Sequence, residues 1–329
     1  MGEADVQRSM QRKQREAVRF ASGDADCAAW FYPGRNGACV IMTGGFGVTK
    51  EPGTDLFAGR FHDAGFGVLA FDYRNFGESG GGPRQVARIS EQLADWSAAI
   101  EFAGTLPGVD RDRIALWAFS ISSGHVLRAA ARHPEVAGAI AQMPYVDGPA
   151  GFRVARRHQT ASAMARLFGR ALLDAAGGLF GRPPRLVPLS GPPGTVALLT
   201  TPDTQDGDRA LNPGNRYPEW QQAAAARSVL GAGSYRPGRD APKVRCPLLM
   251  VVCDQDQSVP VEAAVRVAQQ APRGELVRLP GGHYAPFLEA HDQAVDAELA
   301  FLRRHLLGAE ATTSADNQPL TEPDARPAT

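Results

Sequence analysis

Short, almost wholly apolar runs alternate with stretches of helical period along most of this chain, and few architectures accept that rhythm. "ACVIMT", "GVLAFD", "RIALWAF" and "VAGAIAQM" are apolar nearly throughout, as strands are when both faces of their sheet are covered. Helical stretches lie between them. One runs over about 55–64, a second carries Val86, Ile89, Leu93, Trp96 and Ile100 at intervals of 3, 4, 3 and 4, and a third covers 120–133. That order implies parallel strands joined by right-handed crossovers, with helices on both faces of the sheet. "EAVRF" and "CAAWFY", joined by a turn at Ser22, Gly23 and Asp24, read as an antiparallel edge ahead of the first buried strand.

The rhythm stops near Val146 and resumes at "CPLLMVVCD", followed by helix "VEAAVRVAQQA", strand "GELVRLP" and a last helix ending near Leu307. In between, a helical stretch over 152–180 gives way to Pro/Gly-rich segments such as "GRPPRLVPLSGPPG" without strand-helix alternation. The expected organisation is a core in two parts, 1–145 and 243–307, with residues 146–242 inserted as a lid. Residues 308–329 are polar and aperiodic, and are expected to form a disordered tail.

Charge narrows the partners. Basic and acidic residues number 35 each, so no net field favours nucleic acid or an anionic membrane surface, and small molecules are the expected partners. Lys13, Lys50 and Lys243 are the only lysines among the 35 cations, a bias expected of a GC-rich bacterial genome. Cys27, Cys39, Cys246 and Cys253 lack metal or disulfide spacing and are read as buried thiols; neither metal nor cofactor is called for. The polar start, "MGEADVQRSMQRKQREAVRF", does not read as a signal peptide, and no apolar run approaches a membrane span. A cytoplasmic protein is expected, and a homodimer is an admissible assembly.

Chemistry enters at "LWAFSISSGH", where Ser120 stands at the junction of an apolar strand and a helix between the small residues Ala118 and Ser122. A sharp strand-to-helix turn of this kind exposes a nucleophilic hydroxyl, although a helix N-cap serine has a similar look. A serine hydroxyl needs a general base, and the base needs an acid to orient it. Both lie downstream. Asp256, in "VVCDQDQSVP" after a late strand, is the assigned acid, with Asp254 two positions away and Asp147 as alternatives; His283, in "LPGGHYAPF", is the assigned base. His62, His125, His133, His291 and His305 fall in helical patterns, and His158 lies in a basic run with Arg153, Arg156 and Arg157 that reads as a solvated face or a carboxylate contact. For an oxyanion hole, the N–H of Ile121 follows the nucleophile, and Phe46 in the Gly44-Gly45-Phe46-Gly47 loop is the second donor. That loop lacks the Gly-Lys-Ser/Thr end of a phosphate-binding loop.

"MTGGFGVTKEPG", "GFGVLAFDYRNFGESGG" and "DRDRIALWAFSISSGH" together resemble the bacterial α/β-hydrolases related to dienelactone hydrolases and X-prolyl peptidases, in which "HGFG", "FDYRGFGxS" and "GxSxSGGH" recur. The resemblance spans all but the inserted segment and the tail. It implies the α/β-hydrolase fold and a Ser120-His283-Asp256 hydrolase acting through an acyl-enzyme on a carboxylic ester, thioester or lactone. Three positions depart from the family pattern: Gly44 replaces its histidine, and Ala118 and Ser123 replace glycines. Such changes also fit a cyclase, lyase or isomerase recruited to a biosynthetic pathway, or a ligand-binding relative without catalysis. In the inserted segment Met164, Leu167, Phe168, Leu172 and Leu173, at helical spacing, are read either as lining an acyl pocket or as docking the lid. Tyr73 and Tyr145, just past strand ends, are expected at the rim of the site.

Overall fold

The protein, seen here as a computed structural model, is described from residue 15 to residue 308. The first 14 residues and the polar stretch from 309 onward, read above as a tail, lie outside the described residues.

Hydrophobic pattern explains the sheet. β1 (Glu16–Ser22) and β2 (Ala25–Tyr32) pair antiparallel, and β2 pairs antiparallel with β4 (Gly67–Phe71). All later pairings are parallel, through β3 (Cys39–Thr43), β5 (Ile114–Phe119), β6 (Gly138–Gln142), β9 (Leu248–Cys253) and β10 (Gly274–Leu279), in the order β1-β2-β4-β3-β5-β6-β9-β10. The five inner parallel strands, β4, β3, β5, β6 and β9, are buried along their whole length, whereas edge strand β10 alternates and turns Arg278 to solvent. Helices cover both faces. α1 (Lys50–Asp63) and α7 (His291–Leu302) pack on one, and α2 (Ile89–Ala103), α3 (Ile121–Arg132) and α6 (Val261–Gln270) on the other. On the α1/α7 face, Phe57 lies 5.0 Å from Trp117 and 5.4 Å from Phe287 between ring centroids, all three buried.

Connections run one way from β3 and the other way from β5, although the two strands are neighbours. Such a reversal opens a crevice at the carboxyl ends of the strands. Residues 146–242 leave the sheet after β6 and return before β9, and those strands pair directly, so the segment sits outside the sheet's hydrogen-bonding pattern.

Three local expectations need correction. Helix α1 begins at Lys50, five residues earlier than its apolar pattern; Pro52 and Gly53 fall in its first turn, where a missing N–H costs nothing, and the Asp72 carboxylate accepts the Lys50 N–H at 2.7 Å. The helical stretch expected over 152–180 is two helices, α4 (Gly148–Ala155) and α5 (Ala161–Leu179), because Thr160 caps the second by accepting the Ala163 N–H. The segment also carries β7 (Leu186–Pro188) and β8 (Ala223–Ala225), an antiparallel pair too short to leave a period in the sequence. Asp174 of α5, itself buried, pairs with half-buried Arg227 at 2.9 Å and ties the helix to the chain beyond β8.

No described helix is long and apolar enough to cross a membrane. All four cysteines are buried and free.

Phe57→Ala should lower the unfolding free energy by about 3–5 kcal/mol in urea titration, the ordinary cost of emptying a packed aromatic site. Leu173→Ser, at a residue 61% exposed on α5, should change it by no more than about 0.5 kcal/mol.

Candidate active site

Ser120 terminates β5 with φ 59° and ψ −128°, a backbone conformation that side chains rarely adopt. Surrounding hydrogen bonds impose it. Its N–H donates to the Gln142 carbonyl at 2.9 Å, and its own carbonyl accepts the N–H groups of Ser123 and Tyr145, each at 3.1 Å. The departure from glycine at Ser123 is accommodated. Ser123 turns its hydroxyl to the carbonyls of Ala118 (2.7 Å) and Gln142 (2.8 Å), clamping β5 to β6 beneath the turn, and buried Ser122 accepts the Tyr73 hydroxyl at 3.1 Å.

His283 follows β10 on a loop opened by Gly281 and Gly282, and is 1% exposed. Its Nδ1–H donates to Asp256 Oδ2 at 2.7 Å, leaving Nε2 to accept the Ser120 hydroxyl at 3.2 Å. The other Asp256 oxygen accepts the N–H groups of Ser258 (2.8 Å) and Val259 (2.9 Å), which restrains the carboxylate against turning away from the ring. Burial alone would depress the histidine, but the charge and hydrogen bond of Asp256, aided by Asp203, hold it above its ordinary value of 6.5. Because the folded value is raised, the stability this pair contributes is fully present below about pH 6.5 and is lost as pH rises through the folded value.

The alternatives to Asp256 are otherwise engaged. Asp254 pairs with Arg278 at 2.7 Å at the surface, and Asp147 caps α4 by accepting the Ala150 N–H. His125 is buried between Tyr235 (2.7 Å) and the Gln92 side chain (3.0 Å), and burial with the nearby charge of Arg128 pushes it down to about 3.

The loop after β3 approaches the same point. A Cβ on Gly44 would meet the Val48 carbonyl oxygen at 2.6 Å, so no histidine fits where the family carries one. Gly47 adopts φ 67°, and its carbonyl accepts the Trp220 indole N–H at 2.9 Å, pinning the loop against the inserted segment. Neither the Phe46 N–H nor that of Ile121, first residue of α3, donates to a backbone carbonyl among the described residues.

Two cavities meet at Ser120. The larger, about 160 Å³, is lined by Ile121, Tyr145, Phe152, Met164, Leu167, Phe168 and Val259 among others, and by no charged side chain. The smaller, about 40 Å³, lies on the His283 side with Asp208, Trp220, Gln222 and Tyr284 in its wall. Phe46, Leu189 and Leu199 border both. Tyr145 lines the large cavity, but its hydroxyl donates to the Ala232 carbonyl at 3.1 Å. Tyr73 does not reach either. It is buried beneath the turn, where its hydroxyl accepts the Trp96 indole N–H at 2.8 Å, because the chain past β4 folds back into the core. Leu167 and Phe168 face the large cavity, whereas Leu172 and Leu173 turn outward, each 61% exposed. Arg153, Arg156 and Arg157 are exposed and line neither cavity. Among the described residues no three His, Cys, Asp or Glu side chains gather to hold a metal ion.

Sequence reading missed Asp203. This residue of the inserted segment accepts the N–H groups of Gln257 (2.8 Å) and His283 (3.3 Å) on one oxygen and the Ser258 hydroxyl (2.7 Å) on the other. Its surroundings, "LLTTPDTQD", carry only a helix-start signature, which points to a cap and not to a site.

The sequence pattern of the Alpha/beta hydrolase family matches residues 44–297. The chain belongs to that family. It is 37% identical over 292 residues to the quorum-quenching protein AidA of Acinetobacter baumannii, a match covering 87% of this chain and 94% of that one. It is 36% identical over 112 residues to the thiohydrolase aneE of Aspergillus aculeatus, covering 34% and 35% of the two chains. Among solved structures, the alpha/beta hydrolase GrgF from Penicillium sp. sh18 superposes with a TM-score of 0.74 at 24% identity, over 89% of this chain and 99% of that one.

Asp256→Asn should move the His283 titration, followed by ring-proton NMR, from above 6.5 to below it, since burial is then largely unopposed. Asp254→Asn should leave it in place; the opposite ranking would assign the pairing to Asp254.

Proposed function

We propose that the protein hydrolyses a carboxylic ester, thioester or lactone with an apolar acyl part, through an acyl-enzyme on Ser120. The observation that carries this reading is the hydrogen-bonded line Ser120 Oγ, His283 and Asp256 at the junction of an uncharged cavity and a smaller one. His283 Nε2 takes the Ser120 proton as Oγ attacks the acyl carbon, and the N–H groups of Ile121 and Phe46 receive the developing oxyanion. The C–O or C–S bond then breaks, and His283 returns its proton to the departing alcohol or thiol in the smaller cavity. A water molecule attacks the acyl-enzyme, His283 accepts its proton, and the carboxylic acid leaves with Ser120 restored.

Two further features support the substrate class. The large cavity offers apolar side chains and no cation, which suits an aliphatic acyl chain and not a carboxylate. The thiohydrolase among the relatives supports including thioesters, and the quorum-quenching relative fits a small-molecule substrate. Residues 146–242 then act as a lid that selects the acyl chain, while the sheet supplies the reacting groups.

Hydrolysis of acetyl and decanoyl esters of p-nitrophenol tests the reading. Ser120→Ala should reduce both rates by about 10³-fold or more, and wild-type kcat/KM should rise with pH through a midpoint above 6.5, because only neutral imidazole accepts the serine proton. Phe168→Ala should lower the preference for decanoyl over acetyl by about tenfold, the worth of a lost apolar contact or two. Equal loss on both esters would assign Phe168 to packing, and rates within tenfold of wild type for Ser120→Ala would refute the mechanism.

A further inference from the structure

A single carboxylate from the inserted segment holds the two loops that follow β9 and β10, the last two strands of the sheet. Asp203, in the short turn Pro202–Asp206, accepts the Gln257 N–H at 2.8 Å and the His283 N–H at 3.3 Å through Oδ2, and the Ser258 hydroxyl at 2.7 Å through Oδ1. Gln257 and Ser258 immediately follow Asp256. Ser258 itself is buried and hydrogen-bonded to Thr201 at 2.7 Å, so Thr201 and Asp203 grip the acid loop from two sides. The segment therefore touches the backbone of the base and the backbone next to the acid, and neither loop has to hold its place alone.

The same stretch is a wall of the acyl cavity. Leu199, Thr200 and Thr201 line it, two to four residues ahead of Asp203. A chain seated in the cavity thus bears on the segment that carries the clamp.

We propose that Asp203 is a positioning residue of the reaction, clamping the Asp256 loop to the His283 loop so that the Ser120-His283-Asp256 line is complete only when the inserted segment is seated. This rests on the functional reading given above. A carboxylate is suited to the task because it takes three donors at once, and a charged acceptor makes stronger bonds than a neutral one. Its charge also acts on the ring. The titratable groups around His283 are Asp256 from the loop after β9, Asp203 from the inserted segment, Tyr284 beside it with Asp208 close to that ring, and Cys253 at the end of β9. Burial, reinforced by nearby carboxylates, raises Tyr284 and Cys253 and keeps both neutral, so Asp256 and Asp203 supply the charge that stabilises imidazolium as the serine proton arrives. Asp203 in turn is held below the usual carboxylate range: burial opposes its charge, and His283 with the surrounding donors outweighs burial.

Asp203→Asn retains shape but sets an amide N–H against donors. The experiment measures three quantities on wild type and variant: the rate at which an alkyl fluorophosphonate labels Ser120, kcat and KM per labelled serine for the acetyl ester, and the NMR titration of His283. The variant is expected to label about tenfold more slowly or less, to lose kcat with KM within about twofold, and to show His283 titrating at lower pH. Ser258→Ala, which keeps the carboxylate but removes one of its donors, should move kcat in the same direction by a smaller factor. Unchanged labelling and an unchanged His283 titration in Asp203→Asn would overturn the proposal while leaving the hydrolase reading intact. A wild-type protein that labels nowhere would overturn that reading, and this proposal with it. If Asp203→Asn does not fold, Ser258→Ala decides the matter by the same readouts.

Discussion

A serine backbone held at φ 59° is the constraint on which the site turns. Left to itself Ser120 would relax toward an ordinary helix start, and its side chain would fall away from the crevice. The neighbouring strand prevents this. β6 presents the Gln142 carbonyl to both the Ser120 N–H and the Ser123 hydroxyl, so the sharp turn is tied to the sheet on each side. Ser123 stands where the family has glycine and is satisfied by strand carbonyls, while its neighbour Ser122 is satisfied by Tyr73. The departures from the usual motif are thus packed and bonded into the same geometry.

Everything else in the site converges on the point that the turn exposes. Gly44 and Gly47 let the loop after β3 approach it, and Trp220 from the inserted segment holds that loop in place. Phe46 borders both cavities, one without a charged side chain and one with Asp208, Gln222 and His283 in its wall, so a reacting group at Ser120 has two unlike sides. The inserted segment contributes the Trp220 anchor of the loop after β3, part of the cavity wall and the Asp203 carboxylate bonded to the His283 backbone. It therefore reaches three separate parts of the site.

How much of this the sequence displays depends on whether a residue acts within its own element. The buried strands and the helices after β4 and β5 are legible because burial on both faces and a 3.6-residue period are written into consecutive residues. The start of α1 is not, since Pro52 and Gly53 read as breakers unless their place in the first turn is known. Ser120, Asp256 and His283 are recognisable by their positions at strand ends, and the structure brings them within hydrogen-bonding distance. Tyr73 misleads for the same reason: a strand end is also where a side chain folds back under the sheet's edge. Leu172 and Leu173 share the helical spacing of Leu167, but the helix meets the cavity along only one stripe. Asp203 leaves no trace in its own neighbourhood, because its partners lie more than 50 residues away and are mostly backbone N–H groups, which carry no sequence signal.

The most direct test of the central claim is rapid-quench mass spectrometry of the protein mixed with excess p-nitrophenyl decanoate. A burst of p-nitrophenol equal to the protein concentration, with a decanoyl group on the peptide that bears Ser120 and none in Ser120→Ala, is the expected result. Turnover that persists in Ser120→Ala, or an acyl group carried by a different residue, would contradict it.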